Sequence, residues 1–225
     1  MAWLCTGNTN KELVDNLLDA KIISSNRVAS AMHAVDRAHF SKHHPYEDSP
    51  QYIGYGATIS APHMHGYALE NLQDYLKPGM NALDVGSGSG YLTACMAEMV
   101  GENGHVVGID HIPELVADSQ RALDQHYSAW TQSGRIKVVA GDGRKGYSDD
   151  APYDCIHVGA ASSNKPTDLI NQLKSPGRLF VPVGSASQNI IVYDKDRDGN
   201  VKERQIMGVM YVPLTDPQKQ RSDFL

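Results

Sequence analysis

Apolar positions recur at helical spacing in the first third of the chain, then change to short apolar runs alternating with longer amphipathic ones. Leu13, Val14, Leu17 and Leu18 share one helical face, and Asn8, Thr9 and Asn10 stand ahead of them as capping residues. Val28, Met32 and Val35 repeat the pattern after Ser24 and Ser25. Tyr67, Ala68, Leu72, Tyr75 and Leu76 predict a third helix over 64–76, closed by Lys77-Pro78-Gly79. Between 43 and 63 the periodicity is lost among His-Pro, Ser-Pro and Ala-Pro steps, Gly54 and Gly56. That predicts a long irregular segment, of a length more often functional than idle.

Past residue 80 the pattern alternates. Strands are predicted at 82–85, 106–109, 136–139, 155–158, 179–183, 190–193 and 207–212, with helices at 91–100, 113–127 and 166–174. Pro113 and Pro166 each open a helix, where a missing N–H costs nothing. Short apolar strands joined by helices imply right-handed crossovers and a sheet covered on both faces. Asp196-Arg197-Asp198-Gly199 reads as a turn, so an antiparallel strand should finish the sheet. The expected fold class is α/β: a doubly wound, mostly parallel, seven-stranded Rossmann-like sheet with an N-terminal helical segment and an antiparallel C-terminal strand. One domain is expected over 1–225, with 1–80 as the helical and substrate-loop segment and 81–225 as the ligand-binding core.

Composition narrows the partners. A length of 225 residues suits one well-filled core, and 41% apolar with 20% charged residues excludes disorder. The net charge of −6 repels phosphate, and no Lys/Arg cluster offsets it, so no nucleic-acid partner is expected. Cys5, Cys95 and Cys155 are odd in number and far apart, which fits reduced thiols in an intracellular protein. Neither a signal-peptide pattern nor an apolar run approaching membrane-spanning length occurs, so the expectation is a cytosolic (cytoplasmic) protein without a membrane partner. With no heptad pattern or large apolar stripe, a monomer is expected.

The run Leu83-Asp84-Val85-Gly86-Ser87-Gly88-Ser89-Gly90 lies between the first core strand and its helix, where doubly wound sheets bind ligands. Glycines at 86, 88 and 90 let a backbone approach a ligand closely, although tight strand–helix packing can also demand them. Their spacing is G-x-G-x-G, not the G-x-G-x-x-G of dinucleotide folds. Asp84 stands directly before them. Its carboxylate would be unfavourable against a pyrophosphate and favourable against an amino or sulfonium group. Asp110 ends the second strand where a ribose-binding carboxylate belongs, and Asp142-Gly143 follows the third beside an adenine-sized gap. Single acids at strand ends are often only helix caps. Three beside one glycine loop point to an adenosyl ligand with a cationic amino-acid tail, S-adenosyl-L-methionine.

The segment Ile53-Gly54-Tyr55-Gly56-Ala57-Thr58-Ile59-Ser60-Ala61-Pro62-His63-Met64-His65 resembles the signature of the protein-L-isoaspartate (D-aspartate) O-methyltransferase family. LDVGSGSGY at 83–91, GDGRKGY at 141–147, PYDCIHVGAA at 152–161 and VPLTD at 212–216 resemble the same family in its order. The resemblance covers essentially the whole chain, and its most specific part is the segment ending at His65. It implies a class I methyltransferase fold, S-adenosyl-L-methionine as cofactor, and damaged proteins and peptides bearing isoaspartyl residues as substrates. It further implies that Ala57, Thr58, Ile59, Ser60 and His65 line the meeting point of cofactor and substrate, with Ser60 as the active residue. Asp84, Gly86 and Ser89 would belong to the glycine loop, Asp110 and His111 to the ribose side, Asp142 and Gly143 to the adenine. Thr215 and Gln220 complete the cofactor site on resemblance alone. Gly56 and the segment Lys174-Ser175-Pro176-Gly177 depart from the family's more usual residues without touching a group needed for chemistry.

Attack of a carboxylate oxygen on a sulfonium methyl needs no general base, because the nucleophile is already ionised near neutrality and the leaving group is a neutral thioether. No Ser-His-Asp or Cys-His pairing is evident, and alignment by a donor such as Ser60 is what remains to be supplied. An extended peptide could pair along residues 52–60. His63-x-His65 and His43-His44 lack partners at metal-ligand spacing, so no metal is expected. His157 reads as a satisfied core histidine, Asp194-x-Asp196-x-Asp198-Gly199 as a solvated turn, and Trp3 and Trp130 as packing residues. Two rival readings stay open: a methyltransferase acting on RNA or a small metabolite, and a dinucleotide-binding oxidoreductase or nucleotide sensor.

Overall fold

A computed structural model describes residues 5–216 and 220; Trp3 lies outside the described residues. The chain opens with α1 (Asn10–Asp19) and α2 (Asn26–Ala34). Thr9 accepts a hydrogen bond from the Glu12 amide, and the Glu12 carboxylate accepts from the Asn8 amide, so both early donors of α1 are satisfied by neighbours in sequence. Leu13, Val14 and Leu17 are buried on its inner face as their spacing requires. Glu70 accepts from the Ser24 and Ser25 amides at the start of α2, tying that helix to the one that follows the irregular segment.

Part of the segment expected to be irregular is a hairpin, β1 (Gln51–Gly54) with β2 (Ala57–Ile59), paired antiparallel from Gln51 opposite Ile59. Strands of four and three residues are too short to display alternation. Gly54, Tyr55 and Gly56 all take positive φ, at 98°, 54° and 71°, and turn the chain between them. Helix α3 (Pro62–Leu72) starts earlier than its apolar pattern suggested, with Pro62 in the first turn, and tightens into a 3₁₀ turn over Gln73–Tyr75.

The core then runs β3 (Asn81–Val85), α4 (Tyr91–Val100), β4 (His105–Asp110), α5 (Pro113–His126), α6 (Ser128–Gln132), β5 (Ile136–Ala140) and β6 (Tyr153–Val158). It ends with α7 (Thr167–Asn171), β7 (Leu173–Gly184), β8 (Gln188–Lys195) and β9 (Val201–Val209). Seven strands form one sheet in the order β5-β4-β3-β6-β7-β8-β9. All pairings from β5 to β7 are parallel, and β8 is antiparallel to both its neighbours. The fold is therefore the expected Rossmann-like α/β sheet.

Two boundaries differ from expectation. The helix read over 166–174 is only Thr167–Asn171, because Leu173 already pairs with Tyr153 and begins β7. The register then shifts before Arg178 meets Cys155, and the bulge absorbs Pro176, which cannot donate to a ladder. The last strand lies at Val201–Val209 instead of 207–212. Its first half, with Lys202, Glu203 and Arg204, is a solvent-facing sheet edge whose charges hide it from a search for apolar runs.

One face of the sheet packs against Leu13, Leu17, Leu69, Leu72 and Met96 of the first four helices, and the other against Leu169 and Ile170 of α7. No helix among the described residues is long and apolar enough to cross a membrane. Chain crossovers leave β3 toward β4 on one side and β6 follows on the other, so the strand order reverses at β3 and opens a crevice at its carboxyl end.

Candidate functional site

The loop after β3 turns on three left-handed glycines: Gly86, Gly88 and Gly90, with φ of 71°, 52° and 87°. A Cβ on Gly88 would stand 3.2 Å from Ile53 of the hairpin, so this position also needs a residue without a side chain. Gly90 caps α4 with no side-chain hydrogen bond, which leaves the first-turn amides of that helix directed toward the crevice.

Three carboxylates surround the loop, each held differently. Asp84 is 1% exposed, and its oxygens accept from the Thr93 hydroxyl at 2.6 Å and from His157 Nδ1 at 2.8 Å. His157 is thus a satisfied buried histidine, stacked on Phe180, and it also walls the site. Asp110 accepts the Gly88 and Ile112 amides, both at 3.0 Å; burial still raises its carboxyl above the usual range. Each oxygen keeps a second lone pair for a ligand hydroxyl. Asp142 takes two side-chain bonds from Arg144, which hold its carboxyl below the usual range, and Arg144 reaches on to Asp216 at 2.7 Å.

Every site residue named from the sequence lines one of two contiguous clefts. The outer cleft is bounded by Ala57, Thr58, Asp110, His111, Asp142, Gly143, Thr215 and Gln220. The inner one is bounded by Ile59, Ser60, His65, Asp84 and Ser89; Thr58, Gly86 and Gly88 belong to both. Gln220 closes the outer cleft, accepting from His111 at 2.6 Å and donating to the Tyr55 carbonyl at the hairpin tip. One buried hydroxyl at the inner cleft, Ser87 Oγ, has no partner among the described residues. An unpaired donor beside an open backbone cradle and a ribose-competent carboxylate fits a polar adenosyl ligand.

On the far side of Thr58 and Ser60 lies a larger groove of about 680 Å³. Its walls are Pro50 and Ala61 beside the hairpin, Met64 and Tyr67 of α3, and the 207–212 stretch that ends β9 and continues past it. Sequence reasoning missed three residues around it. Arg37 is fully buried, donates to the Ser60 carbonyl at 2.7 Å and to His65 Nδ1 at 3.1 Å, and lies over the Tyr91 ring. Asp48, also buried, accepts from both the amide and Nδ1 of His63, so the two histidines of His63-x-His65 serve separate partners. The Tyr211 phenol is pushed up to about 12 by burial, against a hydrogen bond from the Ser60 hydroxyl. None of these carries a local signal: each partner lies 15 or more positions away.

The model of the family described as Protein-L-isoaspartate(D-aspartate) O-methyltransferase matches residues 8–219. A Caenorhabditis elegans protein-L-isoaspartate O-methyltransferase is 48% identical over 98% of both chains. Protein-L-isoaspartate O-methyltransferase 1 of Arabidopsis thaliana is 50% identical over 95% of this chain and 94% of its own. A Plasmodium falciparum crystal structure described as a protein-L-isoaspartate O-methyltransferase in complex with S-adenosyl-L-homocysteine superposes with a TM-score of 0.85. It is 33% identical and covers 93% of this chain and 99% of its own. By sequence and by architecture, the chain belongs to the protein-L-isoaspartate(D-aspartate) O-methyltransferase family.

Proposed function

We propose that this enzyme transfers the methyl group of S-adenosyl-L-methionine to the free α-carboxylate of L-isoaspartyl, and D-aspartyl, residues in damaged proteins and peptides. The methyl ester then closes to a succinimide that partly reopens as normal aspartate, which begins repair. The observation that carries this reading is the shared wall: Thr58 and Ser60 border both the glycine-loop clefts and the large groove. A group bound on one side therefore meets a group bound on the other.

When bound, S-adenosyl-L-methionine supplies an electrophilic methyl on sulfur. Asp110 would accept from the ribose hydroxyls, with His111 beside it, while Asp142 and Gly143 border the adenine. Gly86, Ser89 and the first amides of α4 would receive the amino-acid tail above Asp84. Thr215 and Gln220 would close the outer side. Ser60 orients the acceptor carboxylate by hydrogen bonding and is not a nucleophile. Because opposite charges cancel as the bond forms, exclusion of water by Thr58, Ile59 and Tyr211 favours transfer.

The groove suits an extended peptide. Its exposed apolar rim and the backbone of the hairpin offer contacts that do not depend on one flanking sequence. The remaining expectations belong to the same reading: one domain over 1–225, a monomer in the cytosol, with neither nucleic acid nor membrane as partner. Labelled S-adenosyl-L-methionine with an isoaspartyl peptide and its aspartyl twin tests the proposal. Base-labile label is expected on the first alone; label on both, or on neither, overturns it.

A further inference from the structure

Arg37 is the least accessible charged side chain in the core, and no carboxylate lies within ion-pair distance of it among the described residues. Its guanidinium spends its donors on two groups of the candidate site, the Ser60 carbonyl and His65 Nδ1, while Nε finds no partner. Burial lowers its pKa to about 10, so it remains a cation at neutral pH. A buried cation whose only carboxylate counter-charge, Asp48, lies beyond ion-pair distance is costly, and such a group survives where something else completes it.

The hydrogen bond to His65 has only one possible sense. Arginine cannot accept, so Nδ1 of His65 must be bare and its proton must sit on Nε2. Nε2 is the ring's remaining polar atom, and His65 lines the inner cleft with Ser89 and Asp84. Every group facing the ring supports the neutral form or leaves it undisturbed at short range. Burial comes first, then Arg37, His157 and His63, all of which hold its pKa well below the ordinary imidazole value. Tyr91 stacks obliquely at 5.0 Å, and Asp84 is already paired to Thr93 and His157.

We propose that Arg37 is a positioning residue: it locks His65 as a neutral Nε2–H donor aimed at the carboxylate of the cofactor's amino-acid tail, which in turn adds negative charge near the buried guanidinium. The inference rests on the reading of the clefts as an S-adenosyl-L-methionine site. Arg37 never touches the ligand; its charge reaches the carboxylate across the imidazole ring.

The test compares two ligands that share the adenosyl group, S-adenosyl-L-homocysteine, which has the tail, and methylthioadenosine, which lacks it. For Arg37→Lys, which keeps the charge and loses the two-pronged contact, homocysteine-ligand affinity should fall on the order of tenfold while methylthioadenosine affinity stays unchanged. Equal loss for both ligands, or no loss for either, overturns the assignment. If the wild-type protein binds neither ligand, the cofactor reading falls and the inference with it. Should the variant not fold, histidine ¹⁵N spectra of the wild type decide. Nε2 of His65 should remain protonated and Nδ1 bare from pH 8 to about 5.5, with the Nε2 signal moved by S-adenosyl-L-homocysteine and not by methylthioadenosine. A proton on Nδ1, titration within that range, or an equal response to both ligands refutes it.

Discussion

The two sides of the Thr58–Ser60 wall are built on opposite plans. On the glycine-loop side the polar groups are buried and engaged: Asp84 with Thr93 and His157, Asp110 with two backbone amides, His65 with Arg37. On the groove side apolar groups stand open, with Met210 96% exposed and Val212 38% exposed, beside Met64 and Met207. A fixed cofactor rewards donors held in place before it arrives, because pre-organisation lowers the ordering cost of binding. Damaged proteins present many flanking sequences, and flexible methionine surfaces with backbone edges accommodate them. Rigidity lies where the ligand is constant, and adaptability where it varies.

The largest break in that contrast should come from Asp84→Asn. His157 Nδ1 and the Thr93 hydroxyl would both lose their anionic partner in a site where neither can reach water. Leaving a buried donor without its carboxylate acceptor costs about 1–3 kcal/mol, so denaturant unfolding should show a loss of that size, together with loss of cofactor binding by calorimetry. Wild-type stability in this variant would mean that the carboxylate is not the structural floor of the loop.

Smaller and more selective effects separate Asp110 from Ser60. Asp110→Ala removes the acceptor of the Gly88 amide and the proposed ribose partner, so S-adenosyl-L-homocysteine affinity should drop on the order of tenfold or more. Ser60→Ala leaves the Arg37 bond to the Ser60 carbonyl intact and removes only the hydroxyl. Its kcat should fall about tenfold with cofactor affinity unchanged. Equal effects of both variants on both parameters would erase the proposed division between the two walls.

How much of this was legible in the sequence follows the same divide. The glycine loop, Asp110 and Asp142 lie at strand ends set by apolar periodicity, so their neighbours in sequence announce their place. Helix α1 announces itself too, through Thr9 and Glu12. The hairpin does not, since its turn depends on Tyr55 in a left-handed conformation that composition does not reveal. Strand β9 is masked by edge charges. Arg37 and Asp48 read as ordinary charged residues, and only the fold brings them to His65 and His63. Asp84 was legible as an acid beside the loop, but not as one already bonded to His157, which lies on a strand 73 positions away. Side chains whose role is made by tertiary contact leave no local pattern to find.

The smallest predicted effect is a pH dependence that centres on His65. Burial, then Arg37, keep His65 from protonating in the folded chain, and burial with His126 does the same more weakly for His39. The unfolded chain has no such restraint and takes up protons as pH falls below about 6.5. Below that point the unfolded state binds more protons than the folded one, so stability declines with acidification, by at most about 1.4 kcal/mol per pH unit for each histidine. Asp110 acts in the opposite sense, because its raised pKa lets the folded protein gain a proton first as pH drops toward the carboxylate range. Asp48, whose pKa is lowered by the His63 bonds despite its burial, adds an acid loss only near and below pH 4. Between pH 6.5 and about 4.5 the slope of unfolding free energy should therefore belong mainly to the buried histidines. His65→Gln, which can still accept from Arg37 and donate into the cleft, should flatten that slope by up to about 1 kcal/mol per unit. An unchanged slope would show that His65 protonates as freely in the folded chain as in the unfolded one, and would remove the electrostatic distinction between the two walls.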